Sequence, residues 1–152
     1  MATSTPATPE VRLASPVKRL IAYVIDGVII SVVFGVLAVV LGTLIGAPGS
    51  NGRDFLASAG IVLYMLVFLV VWIGYFPWFW SHGGQTPGHK LLGMRVVVEE
   101  DGGQLGFGGG LVRLFGYFVS GLVFWIGFVW ILIDKRRRGW HDIMAGTIVV
   151  EA

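Results

Sequence analysis

Three long apolar blocks, separated by polar and glycine-rich connections, set the pattern of this chain. In the first block, Leu20 to Gly46, Asp26 is the one charged side chain. About 20 apolar residues at roughly 1.5 Å rise each cross a hydrocarbon core of roughly 30 Å, so the block predicts a membrane-spanning helix over about 17–46. Ser15-Pro16 suits its start, with Ser as N-cap and Pro in the first turn. The second block, Phe55 to about Trp80, holds no charge and ends in the aromatic cluster Tyr75-Phe76-Pro77-Trp78-Phe79-Trp80, of the kind that anchors at a membrane interface. It predicts a second span over about 55–80, which Pro77 should kink or end. The connection Ala47 to Asp54 is short and turn-rich, which makes the two helices antiparallel neighbours.

Between the second and third blocks, residues 81–112 are polar and rich in glycine, with a strand-like run Met94-Arg95-Val96-Val97-Val98-Glu99 before the turn Asp101-Gly102-Gly103. A second β-rich run, Thr147-Ile148-Val149-Val150, lies at the end of the sequence after a basic segment that opens at residue 135. Neither run is long enough to be stable alone, so the two are expected to pair as a small cytoplasmic two-stranded ribbon. Residues 1–14, rich in Thr, Pro and Ala, carry no apolar pattern and read as a disordered tail. The apolar block after them exceeds a signal-peptide h-region and lacks a small-residue cleavage signal, so it is expected to be retained as a helix.

The third apolar block, within 113–134, is long enough to cross a bilayer, yet Gly116, Ser120, Gly121 and Gly127 interrupt it. Charge distribution favours a segment that enters and returns. A hairpin there leaves ten basic residues on one side and Arg53 alone on the other, whereas a full crossing leaves six against five. Ser120-Gly121 is the natural point for the turn, and a broken helix at membrane depth needs protein or a wet cavity to cover its free backbone groups. The fold class is thus an all-α membrane protein. It has two full spans, a re-entrant or third transmembrane segment and a small β ribbon.

Composition narrows the function. Apolar residues make up 55% of the chain and charged residues 13%, with a mean hydropathy of +0.80, where a soluble domain carries about 25% charge. The net charge of +2 resides in short juxtamembrane clusters, which suit topology and anionic headgroups, and no nucleic-acid motif is present. The absence of cysteine excludes thiol catalysis and Cys-ligated metal centres. His82, His89 and His141 match no standard metal-site spacing, and Gly83-Gly84-Gln85-Thr86-Pro87-Gly88-His89-Lys90 lacks the spacing of a phosphate-binding loop and reads as a structural turn. No metal and no cofactor is expected. Because no set of nucleophile, base and orienting group can be placed, neither is an enzyme.

Asp26 is the residue that asks for an explanation. An ionised carboxylate in hydrocarbon costs about 2.5 kcal/mol or more, so it must face protein or water, pair with a cation, or hold its proton. Arg19, Ala22 and Asp26 share one helical face, but their alpha carbons lie roughly 10 Å apart along the axis from Arg19 to Asp26, so each charge is expected to meet another part of the chain. Asp142, among Trp140, Ile143 and Met144, is well placed to take up Arg19, and its spacing suits a solvated turn residue or a helix N-cap equally well. Burial favours the neutral form of a carboxyl group, so Asp26 suits either a hydrogen-bond hub that fixes helix packing or a carboxylate that exchanges H⁺ with a monovalent cation.

Three stretches, together spanning residues 15–150, resemble the RDD family of small membrane proteins, named for one Arg and two Asp residues. The first runs from Ala14-Ser15-Pro16-Val17-Lys18-Arg19 through Tyr23-Val24-Ile25-Asp26, the second is Gly84-Gln85-Thr86-Pro87-Gly88-His89-Lys90-Leu91-Leu92-Gly93-Met94-Arg95-Val96-Val97, and the third runs from Asp134-Lys135-Arg136-Arg137-Arg138-Gly139-Trp140-His141-Asp142 to Val150. The resemblance puts the family Arg on Arg19, the first Asp on Asp26 and the second on Asp142, with Asp134 as a weaker candidate. His89 stands where related sequences tend to carry Lys. The basic clusters predict a cytoplasmic N-terminus, and a bacterial plasma membrane is the expected location. The resemblance implies a role in transport, since some members are associated with Na⁺/H⁺ exchange. A chain this short is expected to act as a homo-oligomer. The other expectation is a non-catalytic subunit of a larger membrane complex, in which Arg19, Asp26 and Asp142 only brace the fold.

Overall fold

The structure is a computed structural model, and it describes residues 11–45 and 53–152. Helix α1 (Pro16–Ile45) and helix α2 (Arg53–Ser81) are the two membrane-spanning helices. They run antiparallel. Tyr64 Oη donates to the Phe34 carbonyl at 3.2 Å, and nearer the other end Tyr75 Oη donates to Asp26 at 3.1 Å. Between these two bonds Phe34 packs edge-on to Phe68 with ring centroids 4.9 Å apart. Most apolar side chains of both helices stay exposed, which is the distribution of helices solvated by lipid rather than water. The start of α1 follows its local chemistry, since Ser15 Oγ accepts from the Lys18 amide at 3.3 Å.

Pro77 does not end α2, and the helix continues past it to Ser81. The pyrrolidine ring is fully buried against a later helix, α4 (Phe107–Leu122), at Gly110, where an added Cβ would stand 2.8 Å from the Pro77 Cα.

After α2, a short helix α3 (Pro87–Leu91) leads into strand β1 (Met94–Val98). Following α4 come α5 (Ile126–Val129), a 3₁₀ turn (Trp130–Leu132), α6 (Trp140–Ala145) and β2 (Thr147–Glu151). The expected ribbon forms: β1 and β2 pair antiparallel, Met94 opposite Glu151 and Val98 opposite Thr147. Residues 12–14, which composition placed in the tail, are a correction. Leu13 bridges to Val150, the Ala14 amide donates to the Val149 carbonyl at 2.9 Å, and Ala14 is fully buried. So short a stretch carries no recognisable period of its own, and only the exposed edge of β2 gives its backbone groups partners. Residues 1–10 and the connection 46–52 lie outside the described residues.

The third apolar block forms a bent pair, α4 against α5 and the 3₁₀ turn, at 112°. Its two ends lead from β1 and back to β2, which are hydrogen-bonded to each other, so the segment leaves and returns on the ribbon side. It starts earlier than the pattern suggested, at Phe107 within the region read as loop. The break falls at Val123 to Trp125 rather than at Ser120-Gly121, and Phe124 (φ 48°) and Trp125 (φ 63°) both adopt the left-handed region. The small residues serve contact instead of reversal. An added Cβ on Gly127 would stand 2.6 Å from the Ser120 Cβ, and one on Gly116 would stand 2.5 Å from the His141 Cα. Close approach of α5 and α6 to α4 therefore depends on Gly127 and Gly116, which the sequence pattern marked as interruptions of the apolar block.

Candidate functional site

Among the described residues, the buried charged groups Arg19, Asp26, Arg113 and Asp142 gather near the ribbon end of the bundle. Gly27 to Ile45 of α1, at about 1.5 Å per residue, covers about 28 Å, close to a full hydrocarbon thickness. Asp26 accordingly lies at the edge of the hydrocarbon, and Arg19, two helical turns earlier, lies at headgroup depth. This geometry lowers the cost of both charges and lets the chain outside the spans reach them.

Asp26 is fully buried and accepts three hydrogen bonds. Thr86 Oγ1 donates at 2.5 Å, the Gly88 amide at 2.8 Å and Tyr75 Oη at 3.1 Å. Among the described residues no cationic nitrogen forms an ion pair with it. Helix α3 is held against α1 for this purpose by Gly88, where an added Cβ would stand 2.9 Å from the Ala22 carbonyl carbon and 3.0 Å from Asp26 Oδ2. Any larger residue would push the Gly88 amide away from the carboxylate.

Thr86 also caps α3, accepting from the His89 amide at 3.2 Å, and its hydroxyl lies 2.6 Å from His89 Nδ1. Burial holds His89 well below the ordinary imidazole range, at about 3, with the guanidinium groups of Arg113 and Arg19 adding to the effect and Asp142 opposing it. The ring is thus neutral. A hydroxyl has one hydrogen, and with that hydrogen on Asp26 the Thr86 oxygen accepts from His89 Nδ1, which assigns the lone pair to Nε2.

Arg19 does not turn to Asp26. Its Nη1 lies 2.7 Å from Asp142 Oδ2, while Arg113 Nη2 lies 2.7 Å from Asp142 Oδ1, so each carboxylate oxygen takes one guanidinium. The Gly139 amide donates to Oδ2 at 3.0 Å, with Asp142 at the third position of α6. Burial alone would raise the Asp142 carboxyl, but the charges of Arg113 and Arg19 and the Gly139 amide outweigh it and hold the group at about 2. The Arg113 guanidinium also stacks 4.7 Å over the buried Trp80 ring. This cluster ties α1, α2, α4 and α6 together around one ionised carboxylate.

The remaining candidates lie elsewhere. Asp134 accepts from Arg138 Nε at 3.1 Å and from the Arg136 and Arg138 amides, and Arg138 in turn pairs with Glu99 at 2.8 Å, a clasp that closes the turn before α6 onto the end of β1. It reaches neither Arg19 nor Asp26. His82 is exposed and stacks on Trp78, while His141, unlike these, adjoins the cluster, buried edge-on to Tyr117 with its Nε2 3.4 Å from Asp142 Oδ2. No cluster of three metal-ligating side chains exists among the described residues.

Sequence reading overlooked Arg113, Thr86, Gly88 and Tyr75 as site residues. Arg113 had a signal: it is the only charge between Phe107 and Ile133. Thr86 and Gly88 stood within the second resemblance stretch without an assigned role, and Tyr75 was absorbed into the aromatic cluster.

Comparison with known proteins agrees with this architecture. The chain matches the RDD family over residues 13–146, which contain the three stretches almost entirely. It is 32% identical over 142 residues to "Uncharacterized protein YxaI" of Bacillus subtilis (strain 168), covering 87% of this chain and 93% of that protein. It is 26% identical to "Uncharacterized membrane protein YteJ" of the same organism, covering 87% of this chain and 77% of that one. The match to "Proline-rich antigen" of Mycobacterium leprae is 27% identical and covers 87% of this chain but 58% of the antigen. No solved structure matches. With a family match over residues 13–146 and two membrane-spanning helices, this chain belongs to the RDD family of membrane proteins.

Proposed function

We propose that this protein exchanges protons for monovalent cations across a bacterial plasma membrane, acting as an oligomer, with Asp26 as the carboxylate that takes up and releases the proton. The observation that carries the reading is the state of Asp26: fully buried, held by neutral donors, and one hydroxyl removed from a histidine that borders a cavity. A carboxylate held this way changes the charge of its surroundings by a full unit when it gains or loses a proton. Asp142, gripped by two guanidinium groups, stays ionised and supplies a fixed frame.

A proton arriving at His89 Nε2 releases the one on Nδ1 to the Thr86 oxygen, and the hydroxyl hydrogen of Thr86 passes to Asp26. The reverse sequence empties the site, and the ionised carboxylate then attracts a monovalent cation in place of the proton. Two spans and one hairpin offer little wall for a pathway, so several copies would line it. The basic residues at the ribbon end support a cytoplasmic ribbon and N-terminus.

The test is cation-driven proton movement in proteoliposomes. Asp26→Asn, which keeps the shape and loses the titrating group, is expected to abolish exchange while membrane insertion is unchanged, and normal exchange by that variant would remove the reading.

The Arg19–Asp142–Arg113 brace favours a second reading, a non-catalytic subunit of a larger membrane complex. Under it, the gently extracted protein would travel stoichiometrically with larger partners and Asp26→Asn would alter only stability.

A further inference from the structure

A cavity of about 320 Å³ opens on the side of the bundle between the first turns of α1 and the α5 hairpin. Its lips are apolar and open to the surroundings: Val17 and Leu20 on α1 are 65% and 64% exposed, and Val129 and Leu132 opposite them are 51% and 70% exposed. In a membrane these lips face lipid, so the cavity is a lateral groove. Its inner end is different. There Arg19, Arg113 and His141 form part of the wall, and each is more than nine-tenths buried.

Charge at that end is unbalanced. Arg19 and Arg113 share one carboxylate, Asp142, and burial keeps His141 neutral, so the cluster carries one excess positive charge. The Nε atoms of both arginines are buried without a hydrogen-bond partner in the protein, and such groups are costly unless something else satisfies them. Asp26 also borders the groove, but it lies roughly 10 Å further along α1 and is occupied by its own three donors.

We infer that this groove holds one acyl chain of an anionic phospholipid of the surrounding bilayer, with the phosphate beside Arg19 and the chain running between Leu20 and Val129. Arg19 sits in the first turn of α1, where lipid phosphates lie, and one phosphodiester charge matches the single excess charge of the cluster. A zwitterionic lipid brings its own cation and gains nothing from that excess. The apolar lips accept a chain of any composition, so the headgroup decides which lipid is retained. This inference is independent of proton exchange at Asp26.

The experiment uses the full chain in vesicles of equal phosphatidylglycerol and phosphatidylcholine with identical acyl chains, followed by gentle extraction and native mass spectrometry. One lipid per chain is expected, with phosphatidylglycerol enriched about tenfold over phosphatidylcholine, a difference within reach of one charge interaction. Val129→Trp and Leu132→Trp, which fill the groove from exposed positions, are expected to lose that lipid without lowering the melting temperature. Leu122→Trp, on α4 away from the groove and 67% exposed, is expected to retain it. Equal retention of the two lipids would overturn the inference, as would unchanged retention by both groove-filling variants, or preferential capture of added long-chain fatty acid over phosphatidylglycerol.

Discussion

The Thr86 hydroxyl meets the Asp26 carboxylate at 2.5 Å across sixty positions of sequence. Through this bond the one acid of the first membrane helix is satisfied by a loop outside the membrane, and the same hydroxyl caps α3 and touches His89. Removing it should separate two effects. Thr86→Val keeps the volume and is expected to destabilise the protein by about 1–3 kcal/mol, because it leaves buried polar groups without partners. Thr86→Ser keeps the hydroxyl and is expected to cost much less. Thermal unfolding in detergent checks the order of the two, and proteoliposome exchange should fall only in the valine variant.

Gly88 controls the approach of α3 to α1. An added Cβ would collide with the Ala22 carbonyl, which is backbone and has no rotamer to yield. Gly88→Ala is therefore expected to cost about 1–3 kcal/mol as an overpacking change and to break the Gly88 amide bond to Asp26. Gly27→Ala, one residue beyond Asp26 on α1 with nothing within 4 Å of the added Cβ, is expected to be neutral or mildly stabilising. Melting temperatures of the two variants, measured side by side, test the assignment.

Asp142→Asn leaves two buried guanidinium groups without their common anion. A broken buried pair costs about 3–5 kcal/mol, so this variant is expected to insert poorly or unfold early. Asp134→Asn alters a clasp that is partly exposed, and its effect should stay below about 1 kcal/mol. Comparable loss in both variants would contradict the central position assigned to Asp142.

Acid should weaken the fold before it protonates the carboxylates. His89 and His141 are both held at about 3 in the folded protein by burial, against an ordinary value of 6.5. The unfolded chain therefore binds protons that the folded chain does not. The stability contributed by these two groups is fully present above about 6.5 and is lost progressively as the pH falls toward 3. Asp142 adds a second, lower window between 3.8 and about 2. Melting temperature is expected to decline from near pH 6.5 downward, and His141→Gln should flatten the slope relative to the wild-type protein.

The apolar pattern determined the two spans, because a stretch of about 20 residues without charge has no other stable placement in a bilayer. Charge distribution favoured a third segment that returns over one that crosses, and two short β-rich runs with no partner of their own specified the ribbon. The spacing of Arg19 and Asp26 on α1 was enough to send each to a different partner. Tertiary structure decided who those partners are. Asp26 belongs to Thr86, Gly88 and Tyr75, and Arg19 shares Asp142 with Arg113, because α3, α4 and α6 converge where the spans end. Such contacts join residues far apart in sequence, and nothing in a local period encodes them. The same holds for the turn at Phe124 and Trp125. Its left-handed backbone goes against the local preference of both residues and persists because Gly127 and Gly116 let α5 and α6 close onto α4.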